Sequence, residues 1–241
     1  MSTSNEKEEQ EYYQLVHVPT GGQVVLEANL SIPKNTQGVV IFIFAHGSGS
    51  SRHSPRNRYV AQVLQNEGIA TLLIDLLTED EEEIDLQTRH LRFDIGLLAK
   101  RLIGATDWLT KQNSGSRRDF KVGYFGASTG AAAALVAAAE RPNTINAIVS
   151  RGGRPDLAGI DTLQKVQAPT LLIVGGNDVP VIDMNKQALD KMHVLKDNNN
   201  NNENKKKKLV IVPGATHLFE EPGKLEEVAR LAAEWFASYL R

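Results

Sequence analysis

The chain of 241 residues contains no cysteine, which removes disulfide frameworks, thiolate metal sites and a cysteine nucleophile together. Long apolar runs are also missing. The longest, residues 39–45 and 131–139, fall far short of the roughly 20 residues that a spanning helix needs. Charge of one sign is not in excess: 27 basic against 29 acidic side chains leave −2, so no general field draws the chain to nucleic acid or an anionic membrane. The opening MSTSNEKEEQE has neither the apolar core of a secretory signal nor the arginines of a transit peptide, which favours a cytoplasmic protein. Nineteen glycines and nine prolines follow no period, so collagen-like and low-complexity architectures drop out. What remains, with 41% apolar and 23% charged residues, is ordinary material for a globular enzyme.

Residues 1–11 are expected to be a polar tail, and residues 12–241 one domain without internal repeat or linker. Two β-favouring stretches, 12–18 and 23–32, flank Pro19-Thr20-Gly21-Gly22 and predict an antiparallel hairpin. Six short apolar runs follow, at 39–45, 69–74, 120–125, 146–149, 170–174 and 209–212; continuous Val, Ile and Leu suits parallel strands covered on both faces. Helical stripes alternate with them. Ser54-Pro55 offers an N-cap and first-turn pair, and Leu91, Ile95, Leu98, Leu102 and Leu109 share a face. A third stripe runs from Leu225 to Tyr239. A hairpin and then repeated β-α units predict an α/β fold with a doubly wound, mostly parallel sheet and helices on both faces.

Two segments interrupt this pattern. Residues 79–85 carry six acids in seven positions, which repel one another and are expected to stay solvated. Residues 197–208, DNNNNNENKKKK, predict an expanded surface loop; four lysines without interleaved aromatics make a poor nuclear signal or phosphate patch.

The chemistry concentrates in Gly126-Ala127-Ser128-Thr129-Gly130, between the strand-like FKVGYF and an Ala-rich helix. G-x-S-x-G is a weak motif alone, but strand–turn–helix is the context a nucleophile elbow requires. So tight a turn needs small residues two positions either side of Ser128. It would put the hydroxyl at the carboxyl edge of the sheet, with a helix N-terminus behind it. A serine needs a base and the base an orienting acid. His217, in PGATH after the run 209–212, falls on the same edge, whereas His193 sits late in a helix. Asp178, in GGND after 170–174, is the matching acid; Asp75 precedes the serine and Asp183 lies inside a helix. A Gly-rich turn, an exposed loop histidine and a capping aspartate are each ordinary singly, yet all three would have to coincide on one edge.

The loop His46-Gly47-Ser48-Gly49 after the run 39–45 is placed to supply a second oxyanion donor, the N–H of Ser48 beside that of Thr129. His46 is expected to be structural. Arg52, Arg151 and Arg154 fall near the same edge and are candidates to face an anionic group of a substrate, their alternative being pairs with acids such as Asp156.

With Ser128, Asp178, His217 and the His46-Gly47 loop, the chain resembles the α/β-hydrolase fold from about Tyr12 onward, and its size without a long insertion is similar to the dienelactone hydrolase-like branch. The resemblance implies an eight-stranded sheet, no large lid, and metal- and cofactor-free hydrolysis through an acyl-serine. Dienelactone hydrolase itself uses cysteine where this chain has Ser128. The expected activity is cleavage of a small carboxylic ester, lactone or thioester. Short-peptide cleavage by the same mechanism is the alternative, and a non-catalytic ligand-binding protein a further one. A dinucleotide module is a poor fit, because Arg52 stands where the third glycine of G-x-G-x-x-G belongs. No P-loop is present, and a dehalogenase would need Asp at position 128.

Overall fold

The computed structural model describes residues 12–34, 36, 38–44, 51–113, 121–192 and 206–240. In chain order they form β1 (Tyr12–Pro19), β2 (Val25–Ile32), β3 (Gly38–Phe44), α1 (Pro55–Asn66), β4 (Ala70–Asp75) and α2 (Glu79–Thr88). Then come α3 (Ile95–Asn113), β5 (Lys121–Ala127), α4 (Thr129–Glu140), β6 (Ile145–Arg151) and α5 (Ile160–Lys165). The chain closes with β7 (Thr170–Gly175), α6 (Val179–Met192), β8 (Lys207–Val212) and α7 (Lys224–Leu240). The eight strands make one sheet in the order β1-β2-β4-β3-β5-β6-β7-β8. The hairpin β1–β2 is antiparallel and β2 lies antiparallel to β4; every later pairing is parallel.

Period-two alternation divides the sheet between two cores. Leu73, Phe125, Ala147, Val149, Leu171 and Ile173 point to the side closed by α1 and α7. Leu72, Ile74, Val122, Tyr124 and Ile148 point to the side closed by α3, α4, α5 and α6. Strands that must be apolar on both faces read as unbroken runs, which is why they were legible in the sequence. Parallel strands also share one carboxyl edge, so the loops after β5, β6, β7 and β8 emerge side by side.

Several elements depart from the expectations. The acid run 79–85 does not interrupt the pattern but forms the body of α2, in which Glu79, Asp80 and Glu83 stay exposed and Asp85 is buried. Thr78 and Glu81 form a reciprocal capping box, with Glu81 N–H on Thr78 Oγ1 at 3.3 Å and Thr78 N–H on Glu81 Oε2 at 2.9 Å. Acids in a first turn face the positive end of the helix. Two acids of the run also find arginines: Arg101 binds Glu81, and Arg92 Nε donates to the buried Asp85 at 2.6 Å. Leu91 is not on the long helix but in a 3₁₀ turn; Asp94 starts α3 afresh, its Oδ1 accepting the N–H of Leu97 at 2.9 Å. Ser54 precedes α1 as expected but makes no side-chain cap. β8 begins at Lys207, two residues before the apolar run, because Lys207 Nζ is buried and donates to the carbonyls of Val166 at 2.9 Å and Ala168 at 2.6 Å. The tail 1–11, His193 and residues 197–205 of the low-complexity segment lie outside the described residues.

Candidate active site

Ser128 joins β5 to α4 with φ +52° and ψ −122°, in the left-handed half of backbone space. A non-glycine residue held there costs about 1–3 kcal/mol, and such strain collects at functional sites. The surroundings enforce it. Ser128 N–H donates to the carbonyl of Arg151 at 3.3 Å, while the Ser128 carbonyl accepts Ala131 N–H at 3.2 Å and Arg154 N–H at 3.1 Å. The turn is so close that a Cβ on Gly126 would sit 2.6 Å from Ala131 Cα. Thr129, buried, opens α4, whose N-terminal amides lie just behind the serine.

Asp178 follows β7 and directly precedes α6, its carbonyl accepting Val181 and Ile182 N–H at 3.0 Å. Its side chain does not cap the helix; Oδ2 lies 2.6 Å from His217 Nδ1. This charge-assisted contact selects the tautomer that leaves Nε2 unprotonated and able to take a proton. The Asp178 turn and the His217 loop are stitched together. Gly176 N–H reaches the Val212 carbonyl at 2.8 Å, Asn177 N–H the Ala215 carbonyl at 2.9 Å, and Asn177 Nδ2 the Gly214 carbonyl at 3.2 Å. Gly152, at φ +51°, backs onto the imidazole: a Cβ there would come within 3.3 Å of His217 Cε1. Since Arg151 next door accepts the Ser128 N–H, the turn after β6 links the serine and histidine loops.

Several supporting residues escaped the sequence reading. Both carboxylate oxygens of Glu221 accept the N–H of Thr216 at 3.1 Å, which pins the histidine loop and holds the Glu221 carboxyl below the usual carboxylate range. Asn185 Nδ2 donates to the carbonyls of Gly153 at 3.0 Å and Val181 at 2.8 Å, tying α6 to the turn after β6. Both contacts are long-range or loop-internal, and neither residue type carries a local signature.

The three candidate arginines separate. Arg52 is held by two carboxylates: its N–H reaches Asp75 Oδ1 at 2.8 Å, Nη1 reaches Asp75 Oδ2 at 2.7 Å, and Nη2 binds Glu27, while its Nε is buried without a hydrogen-bond partner among the described residues. Arg154 pairs with Asp156 at 2.9 and 2.7 Å, the alternative weighed from the sequence. Arg151 is 5% exposed, and its Nη1 has no hydrogen-bond partner among the described residues. His46, Gly47 and Ser48 lie outside the described residues. Among the described residues, no group of three or more His, Asp or Glu side chains is placed to hold a metal ion, and no helix is long and apolar enough to cross a membrane.

The family model for the "Dienelactone hydrolase family" matches residues 26–240. The chain belongs to this family. It therefore has the α/β-hydrolase fold, with an eight-stranded sheet and no large lid. A dienelactone hydrolase from Anabaena variabilis superposes with a TM-score of 0.85 at 62% identity, covering 96% of this chain and all (100%) of that one. The esterase Pf2001 of Pyrococcus furiosus shares the fold at a TM-score of 0.72 and 17% identity, over 100% of this chain and 96% of that one. Among curated relatives, the Mycobacterium tuberculosis protein named "Putative phosphoribosyl transferase Rv0571c" is 54% identical over 219 residues, 91% of this chain. The chain spans only 45% of that relative's length.

Proposed function

We propose that the protein hydrolyses a small carboxylic ester, lactone or thioester through an acyl-serine. Ser128 attacks the carbonyl while His217 Nε2 removes its proton; Asp178 fixes the imidazole and stabilises the imidazolium. The N–H of Thr129, at the start of α4, and that of Ser48 receive the oxyanion, each such donor being worth about 3 kcal/mol in the transition state. His217 then returns the proton to the leaving group and activates water for deacylation. Neither metal nor organic cofactor enters this cycle.

The observation that carries the reading is the conjunction of a strained Ser128 at φ +52° with an Asp178–His217 pair at 2.6 Å on adjoining strand ends. The 62% identical Anabaena variabilis protein is a dienelactone hydrolase by name, which supports small cyclic or open esters over peptides as substrates.

A fluorophosphonate probe followed by intact-mass measurement tests it. The wild type is expected to take up one adduct and Ser128→Ala none, and kcat on a p-nitrophenyl ester should fall about 10⁴- to 10⁶-fold in that variant. Asp178→Asn, which presents the wrong tautomer, should cost about 10⁴-fold in kcat with the fold intact by circular dichroism. A folded wild type that neither labels nor turns over esters would point instead to ligand binding on the same fold.

A further inference from the structure

Among the described residues, three that are not glycine hold a positive φ: Arg89, Ser128 and Phe219. Arg89 is an ordinary left-handed cap that closes α2. Ser128 is the strained turn of the elbow. Phe219, at φ +57°, ends no helix, and a bulky side chain is an outlier in that part of backbone space. It stands two residues after His217. Its ring is fully buried, in the apolar cluster that includes Val60 and Leu64 of α1 and Val228 and Phe236 of α7. Backbone strain persists only where the surroundings over-determine it, and here the core determines where the ring must go.

The loop around His217 alternates accordingly. Ala215 and Phe219, two residues to either side, are both 0% exposed, whereas Thr216, Leu218 and Glu220 face solvent. His217 is thus suspended between two anchors, its own side chain 41% exposed. The left-handed turn also folds the chain back on itself. Phe219 N–H donates to the Thr216 carbonyl at 3.3 Å, Thr216 N–H to the Glu221 carboxylate at 3.1 Å, and Lys224 N–H to the Glu221 carbonyl at 3.0 Å. Relaxing Phe219 to a negative φ would either pull the ring from the core or swing Glu221 away from Thr216. The 2.6 Å contact of His217 Nδ1 with Asp178 therefore depends on a backbone that the core beneath α1 and α7 sets from behind. We infer that Phe219 is a positioning residue for His217: its buried ring holds the turn 216–221 in the left-handed form that keeps the imidazole on Asp178, and Glu221 locks the same turn from the solvent side. This deepens the acyl-serine reading and rests on it for what His217 does.

Two truncations in one cluster separate positioning from core packing. Phe219→Ala and Phe236→Ala each remove a fully buried ring and should lower the denaturation midpoint alike. Only Phe219→Ala should lower kcat on a p-nitrophenyl ester, about 10- to 100-fold with KM unchanged, since misplacing a catalytic group by about 1 Å suffices for that. Phe219→Leu, which refills most of the cavity, should recover most of the loss. The proton NMR spectrum of the wild type should show the far-downfield resonance of the Nδ1 proton shared with Asp178, assigned by its absence from His217→Gln. It should persist in Phe236→Ala and broaden or vanish in Phe219→Ala. If Phe219→Ala does not fold, Glu221→Ala loosens the same turn from the surface and should lower kcat about tenfold. Equal kcat in the two ring truncations, an Nδ1 proton unchanged in Phe219→Ala, or full activity of Glu221→Ala overturns the proposal. A wild type that keeps this proton but neither labels nor hydrolyses esters removes the acyl-serine reading instead, and the resonance still reports on Phe219.

Discussion

Arg52 and Arg151 stand at the same carboxyl edge of the sheet, both largely withdrawn from water, in opposite surroundings. Arg52 closes a network with Asp75 and Glu27 that fixes the residues leading into α1. Arg151 pairs with no carboxylate among the described residues, and another cation, Arg56, acts on it. Position on the edge therefore does not decide what an arginine does; its counter-charge does. Where the protein supplies the carboxylate, the pair builds structure; where it does not, the buried charge is a cost to folding.

The sharpest way to break this contrast is to remove each cation and measure unfolding by denaturant. Arg52→Met takes the guanidinium from the buried Asp75 carboxylate, 5% exposed, and should cost about 3 kcal/mol. Arg151→Met removes a buried charge that no carboxylate among the described residues pairs with, so it should leave stability unchanged or raise it by about 1 kcal/mol. Equal losses in the two variants would end the comparison.

Arg101 sharpens it from a third direction. Buried and bound to both Glu81 and the Leu76 carbonyl, it holds the Glu81 carboxyl below its usual value of 4.5. A carboxyl whose folded pKa is depressed stabilises the protein above its unfolded value and loses that contribution as pH falls through the folded one. Glu81→Gln should therefore cost about 1–2 kcal/mol at pH 7. The difference from wild type should close as pH is taken below 4.5, as read from denaturation midpoints across pH. The smallest effect belongs to Arg154→Gln. Its pair with Asp156 is partly solvated, with side chains 30% and 34% exposed, so stability should move by no more than about 0.5 kcal/mol.

Most of the sheet was legible because its strands are apolar on both faces and its hairpin is marked by Pro19 and two glycines. Ser128, Asp178 and His217 were legible for a related reason: each follows an apolar run directly, and parallel strands bring their carboxyl ends to one edge. The acid run of α2 misled because like-charge repulsion is visible in sequence, whereas the partners that relieve it are not. Arg92 lies seven residues from Asp85 and Arg101 twenty from Glu81. Glu221 and Asn185 went unnoticed because they act on backbone groups, and only folding determines which backbone groups lie within reach.

Local order and periodicity thus determined the element sequence, the parallel sheet and the residues at its edge, since these follow from propensity and from which faces must be apolar. The tertiary structure alone separated three arginines that look alike in sequence into one bound to two carboxylates, one in a partly solvated pair and one buried with no carboxylate paired to it among the described residues. A charge's role depends on what lies within a few ångströms of it, and those neighbours come from strands and helices far apart in the chain.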